Sequence, residues 1–246
     1  MLKSSQSAKK LTIFFSDIVG FTEISDRLES EELSALLNRY LTEMSFIAEA
    51  HGGTVDKFIG DAVVVYFGDP ETKGVKEDAA ACVHMAIAMQ ERVHELKQEW
   101  LELGLDDTFD LRVDINTGYC TVGNFGSDMR MDYTIIGGEV NLAARLETAA
   151  DVGGILLASE TFALVTDWVS ADEGEPLTVK GFSRPVRTFK LRSIEGTNTL
   201  KVEDFRRSEP HLLIAMNTSR MSDAERSRSV DVLREALENI EGQRSD

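Results

Sequence analysis

The stretch TVDKFIGDAVVVYF, residues 54–67, restricts the possible folds more than any other part of the chain. Two strand-like apolar runs meet there at Gly60-Asp61, a pair that suits a tight hairpin turn. Hairpins make antiparallel neighbours, which weighs against a fully parallel sheet. Before this hairpin, Leu33, Leu36, Leu37, Tyr40, Leu41, Met44 and Ile47 recur at helical spacing. Ser30 is placed to cap that helix, and Gly52-Gly53 to stop it. After the hairpin, residues 77–103 predict a long helix ending at Gly104.

Residues 109–126 then read as a strand, and residues 133–150 as a short strand, a glycine turn and a helix over 139–149. GGILLASETFALV adds a strand and a helix, and LTVKG (177–181) and VRTFKL (186–191) two closing strands. Hairpins mixed with helical crossovers predict an α/β (α+β) domain with a ferredoxin-like mixed sheet over residues 11–192. Residues 1–10 are expected to be a leader or truncated linker, and residues 193–246 a loop and an amphipathic helix. Val230, Leu233, Leu237 and Ile240 form that helix's apolar stripe.

Several function classes fall away on charge and hydropathy. A formal charge of −17 repels nucleic acid and anionic membrane, so neither is an expected partner. A polyphosphate ligand would need a metal ion or a local cluster of basic residues. The apolar runs are far shorter than the ~18 residues of a membrane span. A cytoplasmic catalytic domain is expected, with an upstream regulatory or membrane region left open because the first strand lies so near the start. Cys82 and Cys120 are unclustered, which argues against a zinc site or a disulfide framework, and they read as reduced, buried thiols. The four histidines, 51, 84, 94 and 211, share no ligand spacing.

The chemistry gathers on two acids. The run Leu11-Thr12-Ile13-Phe14-Phe15 should be a buried strand, yet it leads into Asp17, with Gly20 and a cap-like Thr22 beyond. Asp61 likewise stands where an apolar strand meets a turn. One reading makes Asp17 a helix cap and Asp61 a turn residue. The other brings both strand ends together, where a hard divalent cation would relieve the repulsion between the carboxylates.

FSDIVGFT (15–22) and DKFIGDAVVVYFG (56–68) resemble the two metal-binding motifs of class III nucleotidyl cyclases. RMDYTIIGGEVNLAARLE (130–147) is similar to that family's segment carrying base-reading and transition-state residues, and LRVDINTG and LTVKG to its phosphate-contacting strands. Five motifs in order and in register make a specific signal.

The resemblance implies an adenylyl cyclase that forms 3′,5′-cyclic AMP and pyrophosphate from ATP. It implies two Mg²⁺ ions, with Mn²⁺ able to substitute, on Asp17, Asp61 and the Ile18 carbonyl. Asn141 would orient the ribose and Arg145 meet the charge developing at the α-phosphate. Arg112 and Lys180 would hold the outer phosphates, and Lys57 and Thr134 would read the base. Lys57 argues for adenine, because the family's guanylyl members carry Glu there. Thr134 departs from the commoner Asp and matches a bacterial-type subgroup, which leaves base discrimination less sharply specified. Because one chain carries both half-sites, the resemblance implies a homodimer joined partly by an arm at residues 118–133. A guanylyl cyclase, or an inactive nucleotide-binding dimerisation domain, are the alternatives.

Overall fold

The computed structural model describes residues 6–105, 108–182, 184–195, 204–209, 212–217 and 223–242. They fall into two units divided between residues 196 and 197.

The first unit is built on one eight-stranded sheet. Its strands are β1 (Ser7–Ile18), β2 (Thr54–Ile59), β3 (Ala62–Phe67), β4 (Leu111–Ser127), β5 (Arg130–Ile136), β6 (Ile155–Ala158), β7 (Val169–Glu173) and β8 (Thr188–Ile194). The helices are α1 (Phe21–Arg27), α2 (Ser30–Ala50), α3 (Val75–Glu102), α4 (Gly138–Leu146) and α5 (Ser159–Val165). The strand order is β2-β3-β1-β4-β6-β8-β7, with β5 hydrogen-bonded to β4 as a hairpin arm. The first four strands with α2 and α3 make the expected βαββαβ unit, every neighbour antiparallel. The β4–β6 pair is parallel, so the extended sheet is mixed.

Burial explains why these segments fold as they do. All six residues of β3, AVVVYF, are buried, so both faces of that strand are covered and its sequence is continuously apolar. Ala62, Val64 and Tyr66 pack with Leu11, Ile13, Phe15, Cys120, Val122, Ile135 and Ala143 in one cluster that α4 helps to cover. On α2, Leu36, Tyr40, Met44 and Ala48 are buried at four-residue steps, the stripe a surface helix needs. Each fully buried Leu, Ile, Val or Phe contributes about 1.5–3 kcal/mol relative to exposure. Thr12, Thr117 and Thr161 pass hydrogen bonds across the buried side of the sheet, tying α5 to its centre.

Five local expectations are revised. The first strand begins at Ser7, inside the segment expected to be a leader or linker, because its pairing with β4 extends that far. Glu29, not Ser30, occupies the cap position of α2, and Ser30 is its first helical residue. Thr22 lies inside α1, whose cap position is Gly20, so nothing there uses a side-chain cap. LTVKG forms no strand and only Leu177 bridges Val186, because the chain turns back there; β7 takes that edge of the sheet instead. The helix expected over 139–149 is α-helical to Leu146 and continues as a 3-10 turn over Glu147–Ala149.

The second unit holds a hairpin, β9 (Asp204–Glu209) and β10 (Leu212–Asn217), which the sequence pattern does not signal. The helix α6 (Asp223–Gly242) lies where one was expected. Val230, Leu233 and Leu237 of its stripe are exposed, whereas the Ile240 side chain and His211 lie outside the described residues. Of the loop expected from residue 193, Ser193 and Ile194 instead end β8, and residues 196–200 lie outside the described residues. Among the described residues, no helix is long and apolar enough to cross a membrane.

Candidate active site

Register brings the two acids together. On β1, Ser16 pairs with Val63 of β3 and Asp17 with Arg112 of β4. One step further, the β2–β3 turn sets Asp61 level with Ile18. Gly60 has φ +66°, a conformation that glycine adopts without a Cβ penalty, and so permits that turn. Asp61 Oδ2 accepts the Ile18 backbone N–H at 2.9 Å. Arg112 Nη2 donates to Asp17 Oδ2 at 3.1 Å. Asp17 therefore caps no helix; it stands in a cluster with Ile18, Asp61 and Arg112.

The electrostatics suit a cation. Burial pushes the Asp61 carboxyl above its ordinary range, and the charge of Asp17 adds to that, against the Ile18 N–H that favours the ionised form. Asp17 Oδ1 is buried and accepts no hydrogen bond. Fully buried Tyr40 lies close enough to feel both acids; burial and then their charges hold its phenol protonated. Among the described residues, no group of three or more His, Cys, Asp or Glu side chains could hold a metal ion. An ion on Asp17 and Asp61 would thus complete its shell with backbone, phosphate or water oxygens.

The base-reading candidates form a second cluster. Lys57 lies on β2, just past a bulge between Val55 and Lys57. Its Nζ is 3.1 Å from Asp56 Oδ2, and the Asp56 side chain is wholly buried. Asp56 Oδ1 accepts the backbone N–H of Ile135 on β5, at 3.3 Å. Thr134 precedes Ile135, is 8% exposed, and has a buried Oγ1 without a hydrogen bond. Sequence pattern alone gives Asp56 no role, although it stands beside Lys57 in DKFIGD. Two adjacent opposite charges in a strand are the one signal that points to it.

A third group lies on and beside α4. Asn141 and Arg145 are one helical turn apart and both exposed. Arg145 Nη1 donates to the Lys180 carbonyl, so the helix end and the 177–186 turn meet. Lys180 itself is exposed.

The arm and the hairpin turn expose apolar side chains. Phe58, Ile59, Tyr119, Met129, Met131, Tyr133 and Ile136 are all 43% exposed or more. Tyr133 also donates to buried Asp69, which holds Lys9. Cys82 and Cys120 are buried and free, and burial pushes the Cys120 thiol up to about 11.

This fold and these clusters place the chain in a recognisable class. Residues 3–193 match the adenylate and guanylate cyclase catalytic domain, and the chain belongs to that family. The crystal structure of the adenylyl cyclase CyaB from P. aeruginosa superposes with TM-score 0.76 at 54% identity, covering 78% of this chain and 98% of that one. That of the guanylyl cyclase Cya2 gives 0.73 at 34% identity, covering 78% and 97%. An adenylate cyclase from Anabaena cylindrica is 35% identical over 201 residues, 80% of this chain and 36% of the relative. Another, from Rhizobium meliloti, is 36% identical over 154 residues, 61% of this chain and 22% of the relative. The chain therefore spans well under half the length of these curated relatives.

Proposed function

We propose that this chain is an adenylyl cyclase, converting ATP to 3′,5′-cyclic AMP and pyrophosphate at two composite sites of a homodimer. Neighbours of both specificities share the fold, so the choice of base rests on the site. The observation that carries the adenine assignment is the Lys57 ammonium, 3.1 Å from the buried Asp56 carboxylate. An ammonium donates to adenine N1, which accepts, whereas guanine presents an N–H there and would repel it. Thr134 Oγ1, with no partner of its own, supplies an acceptor for the adenine amine.

Asp17, Asp61 and the Ile18 carbonyl would hold the divalent ions; the buried, bond-free Asp17 Oδ1 fits that role. Bound there, Mg²⁺ or Mn²⁺ supplies charge neutralisation and a more acidic ribose 3′-hydroxyl. The 3′-hydroxyl loses its proton to water as its oxygen attacks the α-phosphorus. A new P–O bond forms, and the bond from the α-phosphorus to the oxygen bridging the β-phosphate breaks to release pyrophosphate. Asn141 orients the ribose for in-line attack. Arg145 faces the growing charge on the α-phosphate, where a planar, permanently charged fork is effective. Arg112 and Lys180 hold the outer phosphates.

The apolar band on the arm and the β2–β3 turn supports dimerisation, because soluble monomers rarely leave such a band uncovered. The direct test is incubation of the purified chain with ATP or GTP and Mg²⁺ or Mn²⁺, with chromatographic identification of the product. Cyclic AMP from ATP in large excess over cyclic GTP from GTP is expected. Equal turnover of both, or no cyclic product, would overturn the proposal.

A further inference from the structure

We propose that Asp56 is a specificity-determining positioning residue, its buried carboxylate clamping the Lys57 ammonium and the β5 backbone beside Thr134 into one base-reading unit. This rests on the adenylyl cyclase reading above, where Asp56 is only the neighbour of Lys57, and gives Asp56 a role of its own. The observations are independent of any ligand. A carboxylate side chain with no exposure is costly to bury unless it is compensated on both oxygens. Here Oδ1 takes the Ile135 N–H at 3.3 Å, and Oδ2 lies 3.1 Å from Lys57 Nζ as an ion pair, without accepting a hydrogen bond.

Lys57 lies on β2 and Thr134 on β5, and the Asp56–Ile135 hydrogen bond joins positions 79 apart in sequence. No local geometry relates the two base-reading residues. Asp56 touches both strands, and the β2 bulge between Val55 and Lys57 is where its carboxylate and the lysine come together. Without that charge the Lys57 side chain, 42% exposed on a flexible four-carbon stem, has no fixed direction.

The test is steady-state kinetics of the full chain with Asp56→Asn, which keeps an oxygen for the Ile135 N–H and removes the charge. The expected result is a roughly tenfold fall in kcat/KM for ATP, carried by KM, with GTP unaffected, so that the ATP-to-GTP ratio falls equally. In a Lys57→Ala background, Asp56→Asn should change that ratio no further, because Asp56 acts through Lys57. An unchanged ratio, an equal loss for both nucleotides, additive effects in the double variant, or an unfolded Asp56→Asn protein would each overturn the proposal. Wild type making no cyclic AMP would instead overturn the underlying reading, which keeps the two failures distinct.

Discussion

Asp61 keeps its carboxylate where burial and Asp17 disfavour the charge. A raised folded-state value means that the folded protein holds the proton more tightly than the unfolded chain does. Stability is therefore lost as pH rises from near the ordinary carboxyl value of 3.8 through the raised one. In metal-free protein, Asp61→Asn should melt higher than wild type at neutral pH, and the gap should close below about pH 4. Mg²⁺ should raise the melting temperature of wild type but not of this variant, whose activity should be nearly abolished. Differential scanning fluorimetry across pH, with and without Mg²⁺, reads both effects. A variant that melts lower at neutral pH would contradict the strain assigned to this acid.

At the scale of elements, the β4–β5 arm depends on close backbone approach. A Cβ at Gly126 would lie 2.1 Å from the Arg130 carbonyl oxygen, and the residue has φ +148°. Gly126→Ala should cost roughly 1–3 kcal/mol locally and distort the arm. If the arm joins two chains, the variant should dissociate at low micromolar concentration and lose activity on dilution, while its circular dichroism stays near wild type. Analytical ultracentrifugation beside an activity dilution series checks this. A variant as dimeric and active as wild type would remove the arm from the interface.

For the whole molecule, composite sites have a quantitative consequence. Asp17→Ala and Arg145→Ala should each be nearly inactive alone. An equal mixture that exchanges subunits freely forms half heterodimers, each with one intact site of two, and should recover about a quarter of wild-type activity. No recovery despite demonstrated exchange would place the complete site within one chain.

Much of this protein is legible along the chain. Apolar spacing marks α2, α3 and β3, because burial on a helix face or on both faces of a strand writes itself into local sequence. The acids at Asp17 and Asp61 are visible as charges at the ends of apolar runs. Tertiary structure alone decides which distant groups meet: Asp61 with the Ile18 N–H, Arg112 with Asp17, and Asp56 with the Ile135 N–H of β5. It also decides that LTVKG is a turn and that β7 closes the sheet. The physical reason is that strand register and helix docking join residues tens of positions apart, and short-range spacing carries no record of those partners.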